Sequence, residues 1–219
     1  MDLFMLIKQN LDEQAYEAIQ NMILNARYKA GFKIIPNDIS NELGISRTPI
    51  THALKRLEQE GLITAIRGGK YCIPQYKAED LNEIFDARLL IEKQAVRTLI
   101  KTIDAKKIME LKNIAKDYIE MIEKKDVELS VKADFAFHNY LVKSMNNGRI
   151  EQFFLMLQKQ LIIYRYIGTK INERLRDSAE EHVTLISCIE AKDEGKAVEM
   201  IETHIENSRI LTLKRYDLT

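Results

Sequence analysis

The feature that most constrains this fold is the uneven placement of its helix breakers. All three prolines and five of the eight glycines (Gly31, Gly44, Gly61, Gly68 and Gly69) fall within the first 75 residues or so. Only Gly148, Gly168 and Gly195 follow. Glycine loses the most conformational freedom in a helix, and proline lacks the backbone donor a helix interior needs. The first third is therefore short elements separated by turns, and the remainder is long helices. A boundary is expected in the polar stretch from Pro74 to Asp80. The expected fold is mainly α, with one domain at 1–75 and an antiparallel, all-helical bundle at 79–219.

In the first domain, Leu11, Ala15, Ile19, Met22 and Ile23 recur at helical spacing. They predict a helix over 11–30 that stops at Gly31. Asn37 is placed to cap a short second helix carrying Ile39 and Leu43, with Gly44 as its stop. Ser46 is placed to cap a third, whose first turn tolerates Pro49 because amides there have no intrahelical acceptor. Ile50, Ala53, Leu54 and Leu57 form its apolar stripe, and Gly61 ends it. Two β-prone runs, Leu62 to Arg67 and Lys70 to Ile73, then flank Gly68-Gly69, a hairpin signal. Three short helices and a hairpin make a winged helix-turn-helix.

Net charge says nothing about partners, because 33 basic residues balance 33 acidic ones. Local charge says more. Between Gly44 and Cys72, five basic residues (47, 55, 56, 67 and 70) outnumber two acidic ones (58 and 60), giving +3. In a winged helix the third helix enters the major groove with its N-terminal residues against base edges. Opposite the apolar stripe it shows Thr48, Thr51, His52 and Lys55, with Arg47 at its start. Arg67 and Lys70 flank the wing tip, where they would meet the phosphate backbone. The pattern alone also fits a solvated face or a protein-contact module.

The run LGISRTPITHALKRLEQEGLITAIRGGKYCI, residues 43–73, resembles the signature of the GntR family. The resemblance implies a homodimeric transcriptional regulator that binds a pseudo-palindromic operator in double-stranded DNA. Arg47 keeps the family pattern. Asn37 and Thr51 stand where the family usually has arginines, so operator readout is expected to differ. The expected DNA-contacting set is Arg47, Thr48, Thr51, His52, Lys55, Asn37, Arg67 and Lys70.

Beyond the boundary, periodicity predicts six amphipathic helices at 79–102, 104–124, 126–146, 149–167, 171–192 and 195–215. Three of the four histidines lie here. Asp134 and His138, four apart, share a face with Leu141, Val142 and Met145. His182 shares one with Ala179, Ile186 and Ile189, and His204 one with Met200, Ile201 and Leu211. Three helices thus aim one carboxylate and three imidazoles at an apolar interior, where polar groups need partners. One divalent metal ion per chain would satisfy all four at once, zinc before manganese, nickel or iron. Unrelated, hydrogen-bonded core histidines are the alternative.

The second region resembles the FadR-type C-terminal domain, FCD, through Arg88 with Glu92, Asp134 with Phe137-His138, Asn147, Glu181-His182, and Ala197, Met200 and His204-Ile205. That resemblance implies a metal held by Asp134, His138, His182 and His204, and an effector bound near Arg88 and Asn147. A small organic or sugar acid is the implied effector, and repression the expected sign. An ion pair between Arg88 and Glu92 is the structural alternative for that arginine. Two alternatives stand beside it: a regulator in which the ion itself is the signal, and a metal-dependent enzyme. No nucleophile motif or phosphate loop supports the enzyme, and Glu181 is expected to point away from the ion. Cys72 and Cys188 are expected to remain unpaired. With no apolar run of about 18 residues and no signal-peptide pattern, a cytoplasmic, non-membrane protein is expected.

Overall fold

The computed structural model describes residues 3–24, 27–165 and 171–215 of the chain. It divides into two compact units, Met1–Gln75 and Tyr76–Thr219.

The first unit contains α1 (Leu3–Leu24), β1 (Lys33–Ile34), α2 (Pro36–Leu43), α3 (Arg47–Gln59), β2 (Thr64–Ile66) and β3 (Lys70–Cys72). Its core forms where α1 packs on α3. Ala15, Ile19 and Ile23 meet the Ile50, Ala53, Leu54 and Leu57 stripe, all of them buried. Each large apolar side chain removed from water there contributes about 1.5–3 kcal/mol. The sheet is antiparallel, in the order β1-β3-β2.

Several local expectations change. The first helix starts at Leu3 and ends at Leu24, so Gly31 is not its stop. Instead Gly31, at φ +80°, turns the chain into β1 and donates its N–H to the Ile73 carbonyl at 2.9 Å. Asn37 sits inside α2, which Ile35 precedes and Pro36 starts. Gly44 does stop that helix, in the left-handed conformation at φ 64°. Ser46 precedes α3 without a capping side-chain bond. In the hairpin, Ile66 pairs with Lys70, so the wing loop is Arg67-Gly68-Gly69 rather than two glycines.

The second unit holds six helices: α4 (Ala78–Thr102), α5 (Ala105–Glu123), α6 (Val127–Lys143), α7 (Gly148–Arg165), α8 (Ile171–Glu190) and α9 (Glu194–Arg215). Asp104, Asp126 and Asp193 accept the first free amides of α5, α6 and α9, at 2.8, 2.9 and 3.1 Å. These caps fix the turns that fold the helices back on one another. Helix α4 packs against α9, α6 and α7, and α8 against α5 and α9. The centre between α4, α6, α8 and α9 is where the polar side chains converge. Among the described residues no helix is long and apolar enough to cross a membrane. Both cysteines are free thiols.

Candidate metal centre and nucleic-acid face

Helix α3 turns its stripe into the first unit's core and leaves Arg47, Thr48, His52 and Lys55 exposed. Asn37, Arg67 and Lys70 are exposed as well. Two of the expected contacts are already engaged within the unit. The half-buried Thr51 donates its hydroxyl to the Arg47 carbonyl one turn back, at 2.8 Å. His52 Nδ1 lies 3.1 Å from the Asp12 carboxylate on α1. Arg56, on the same helix, is committed to structure. It bonds Glu13 at 2.8 Å, and its guanidinium stacks over the Tyr16 ring at 3.6 Å.

In the second unit, α6 carries Asp134 and His138 one turn apart, α8 brings His182, and α9 brings His204. All four are buried, at 3, 0, 0 and 2% exposure, with one donor atom from each lying within 4.8 Å of the others. Asp134 Oδ1 is 3.8 Å from His138 Nε2 and 3.7 Å from His182 Nε2. His138 Nε2 and His204 Nε2 are 3.1 Å apart. Donors bonded at about 2.1 Å to one ion lie at most about 4.2 Å from each other, so small side-chain rotations close this set.

Two glutamates that sequence reasoning did not place at the site decide the tautomers. His138 Nδ1 donates to Glu92 Oε2 at 2.5 Å, and His204 Nδ1 donates to Glu181 Oε2 at 2.6 Å. With Nδ1 carrying the proton, each Nε2 presents a lone pair, and two lone pairs facing at 3.1 Å repel unless a cation joins them. Among the described residues neither ring nitrogen of His182 has a hydrogen-bond partner, an exception to the rule that buried polar atoms are paired. Its ring is held by Phe137, stacked at 3.9 Å between centroids. Burial lowers the pKa of all three imidazoles, most strongly for His182 and His204, which keeps their lone pairs available. Ser178 Oγ donates to Asp134 Oδ1 at 3.2 Å. This donor set fits a divalent ion, with Glu92 and Glu181 orienting two of its imidazoles.

Arg88 is fully buried and held by Glu92. Its Nε donates to Glu92 Oε1 at 2.9 Å, and Nη2 lies 2.8 Å from the same oxygen, an ion pair outside hydrogen-bond geometry. Nη1 has no hydrogen-bond partner among the described residues. Burial alone would raise the Glu92 carboxyl. Arg88 and then His138 outweigh it and hold the pKa at about 2. Arg88, Glu92 and His138 thus form one chain ending at the metal set. Asn147 is exposed, and its carboxamide oxygen caps α7, accepting the Arg149 and Ile150 amides at 3.2 Å each. That helix start needs an acceptor, and Asn147 supplies it. Glu181 does not offer itself as a ligand; it stands behind His204.

A cavity of about 60 Å³ opens beside Asp134, and Arg174, Ser178, Ser208 and Thr212 form its polar wall. None of these four residues stood out in the sequence, since single polar positions on α8 and α9 carry no periodic signal.

Residues 11–71 match the family of bacterial regulatory proteins, gntR family, and residues 83–207 match the FCD domain. The HTH-type transcriptional regulator YdhC of Bacillus subtilis is 24% identical over 196 residues, covering 89% of this chain and 87% of that protein. The gluconate operon transcriptional repressor of the same species is 24% identical over 207 residues, covering 88% and 81%. The solved structure of Escherichia coli McbR/YncC shares the fold at a TM-score of 0.82, with 20% identity over 94% of this chain and 98% of that one.

Proposed function

This chain belongs to the GntR family of transcriptional regulators and carries an FCD domain, and we propose that it is a ligand-responsive repressor whose FCD unit retains one divalent metal ion. The relatives are regulators rather than enzymes. Repression follows the gluconate operon repressor among them, and FadR-type organisation follows the FCD domain.

The observation that carries the metal reading is the pair of imidazoles whose Nδ1 atoms are spent on Glu92 and Glu181 and whose Nε2 atoms face each other. Asp134, His138, His182 and His204 hold the ion, which supplies open positions for a carboxylate or hydroxyl oxygen of an effector. Zinc suits three imidazoles and a carboxylate. The four ligands are at most 3% exposed, which favours an ion retained as part of the fold over one exchanged as a signal. Glu92 and Glu181 orient their imidazoles, and Arg88 orients Glu92.

In the winged unit, Arg47, Thr48, His52 and Lys55 face the major groove, where Thr51 offers its methyl group and the lone pairs of a hydroxyl whose proton is bonded to the Arg47 carbonyl. Arg67 and Lys70 hold the backbone at the wing, and Asn37 lies on the α2 side. A homodimer places two such units on the half-sites of a pseudo-palindromic operator. The protein works in the cytoplasm, where its DNA is. An acid bound near the ion shifts α4, α6, α8 and α9, and this changes operator affinity.

The test is operator binding by the full-length homodimer. A duplex selected from a random pool is titrated with metal-loaded protein, with and without a panel of small organic acids. An acid that changes operator affinity by about fivefold or more supports the reading. Equal affinity under all conditions refutes it.

A further inference from the structure

Two neighbouring acids on α1 take hold of two side chains of α3. Asp12 and Glu13 are consecutive on α1, and His52 and Arg56 stand one turn apart on α3. His52 Nδ1 lies 3.1 Å from Asp12 Oδ2, and Arg56 Nη1 donates to Glu13 Oε2 at 2.8 Å. The buried packing of Ala15 and Ile19 against the α3 stripe holds the two helices in this register. The pairs differ in what they leave over. Arg56 also pairs with Glu60 and lies over the Tyr16 ring, so its guanidinium belongs to the fold. The His52 side chain is half exposed, and its second ring nitrogen, Nε2, has no hydrogen bond among the described residues.

The partner of Nδ1 decides what Nε2 offers. An ionised carboxylate only accepts, so the proton of the His52–Asp12 bond sits on Nδ1. In the neutral ring Nε2 then carries a lone pair and no hydrogen. The two nitrogens lie on opposite sides of the imidazole, so this lone pair points away from Asp12. The charged groups near it on the exposed face of α3, Arg47 and Lys55, are donors only. His52 therefore sets an acceptor among cations. An acceptor there is repelled by phosphate oxygens, by guanine N7 and O6 and by thymine O4. It is matched by the exocyclic amino group of adenine (N6) or cytosine (N4). Each base pair carries one such group in the major groove, on one strand only. The atom thus tells amino bases from keto bases on the strand it faces.

We propose that His52 is a specificity-determining residue of the operator contact, that Asp12 fixes it as an acceptor, and that it reads the exocyclic amino group of an adenine or a cytosine. The proposal rests on the reading of the chain as an operator-binding regulator and names the base chemistry that one residue of that face recognises. His52 lies about 7.5 Å along the helix axis from Arg47, or about two base-pair steps. The amino group it reads belongs within that distance of the base read by Arg47.

The experiment uses the full-length homodimer and a duplex that wild type selects from a random pool, at about pH 8.5, two units above the ordinary imidazole value of about 6.5. Each adenine of the half-site is replaced in turn by purine and each cytosine by 2-pyrimidinone, which lack only the amino group, and affinities are read by fluorescence anisotropy. At one position the loss of the amino group is expected to cost wild type about threefold or more, and which analogue does so tells adenine from cytosine. His52→Ala is expected to bind the parent and that analogue equally. In Asp12→Asn the carboxamide can turn its NH₂ group to Nδ1, which moves the ring proton to Nε2 and makes it a donor. That variant is expected to lose the amino preference and to favour guanine or thymine at the same position. Each readout is a ratio between two duplexes on one protein, so a partly unfolded variant lowers both affinities and leaves the ratio intact. Wild type indifferent to every amino group in that span overturns the proposal. So does a His52→Ala that keeps the preference, or one that weakens all duplexes alike with a shallower salt dependence, the mark of a phosphate contact. A pool from which no duplex is enriched removes the regulator reading itself, whereas an enriched duplex that ignores His52 removes this inference alone.

Discussion

Replacing Glu92 with Gln tests the buried chain that ends at the metal set. Glu92 has no exposed surface, and its two oxygens divide between Arg88 and His138. A carboxamide offers one acceptor and one donor. In Glu92→Gln either Arg88 faces an NH₂ group with its own N–H, or His138 does, unless it moves its proton to Nε2 and gives up the lone pair it offers a metal ion. Two routes give the cost. A carboxyl held at about 2 instead of its usual value has its ionised form stabilised by about 3 kcal/mol. Removing one partner from a buried ion pair typically costs about 3–5 kcal/mol. The two agree on a loss of about 3 kcal/mol or more. Loss of the orienting carboxylate is expected to weaken metal binding by about 10–100-fold as well. The assays are urea denaturation of the metal-stripped chain by far-UV circular dichroism and chelator competition for zinc. Glu190→Gln is the control, because its pair with Lys112 is about half exposed on both sides and should move stability by less than about 0.5 kcal/mol. If Glu92→Gln behaves like Glu190→Gln in both assays, the Arg88–Glu92–His138 chain does not support the site.

Freshly purified protein is expected to carry about one divalent ion per chain, and the His138→Ala, His182→Ala double variant none, by elemental analysis; a metal-free wild type purified without chelator would refute the site. The lowered His182 and His204 pKa values give a definite sign to the pH dependence. The unfolded chain takes up protons at these rings below about pH 6.5 while the folded one does not, so stability should be flat above that value and fall below it. Denaturation midpoints of the metal-stripped protein that are unchanged between about pH 7.5 and pH 5.5 would contradict this. Arg67→Ala and Lys70→Ala should each weaken binding to any duplex and reduce the slope of affinity against salt by about one, measured by fluorescence anisotropy. Arg47→Ala, by contrast, should relax sequence discrimination by about 1–3 kcal/mol, and an unchanged preference among operator variants would remove Arg47 from base readout.

The sequence by itself determined the features whose signal is local. Breaker placement separated punctuated from helical chain, and the Leu43–Ile73 run identified the winged helix. Spacing of four between Asp134 and His138 put both on one face of α6, and the apolar neighbours of His182 and His204 pointed those rings inward. Each of these follows from the 3.6-residue period or from backbone freedom at Gly and Pro, which act within a few residues. What the tertiary structure alone decided joins residues far apart in the chain. The two-residue strand β1 is too short for any period and exists because β3 lies beside it. Asn147 was drawn to a helix start, and Thr51 to its own backbone. Glu92 meets His138, and Glu181 meets His204, because α4 packs on α6 and α8 on α9. Glu181 illustrates the difference: its position beside His182 correctly pointed it away from the metal set, yet only the crossing of α8 with α9 put it behind His204 and within reach of Arg174. Direction along one helix can be read from its period, whereas the partner waiting in that direction is set by packing.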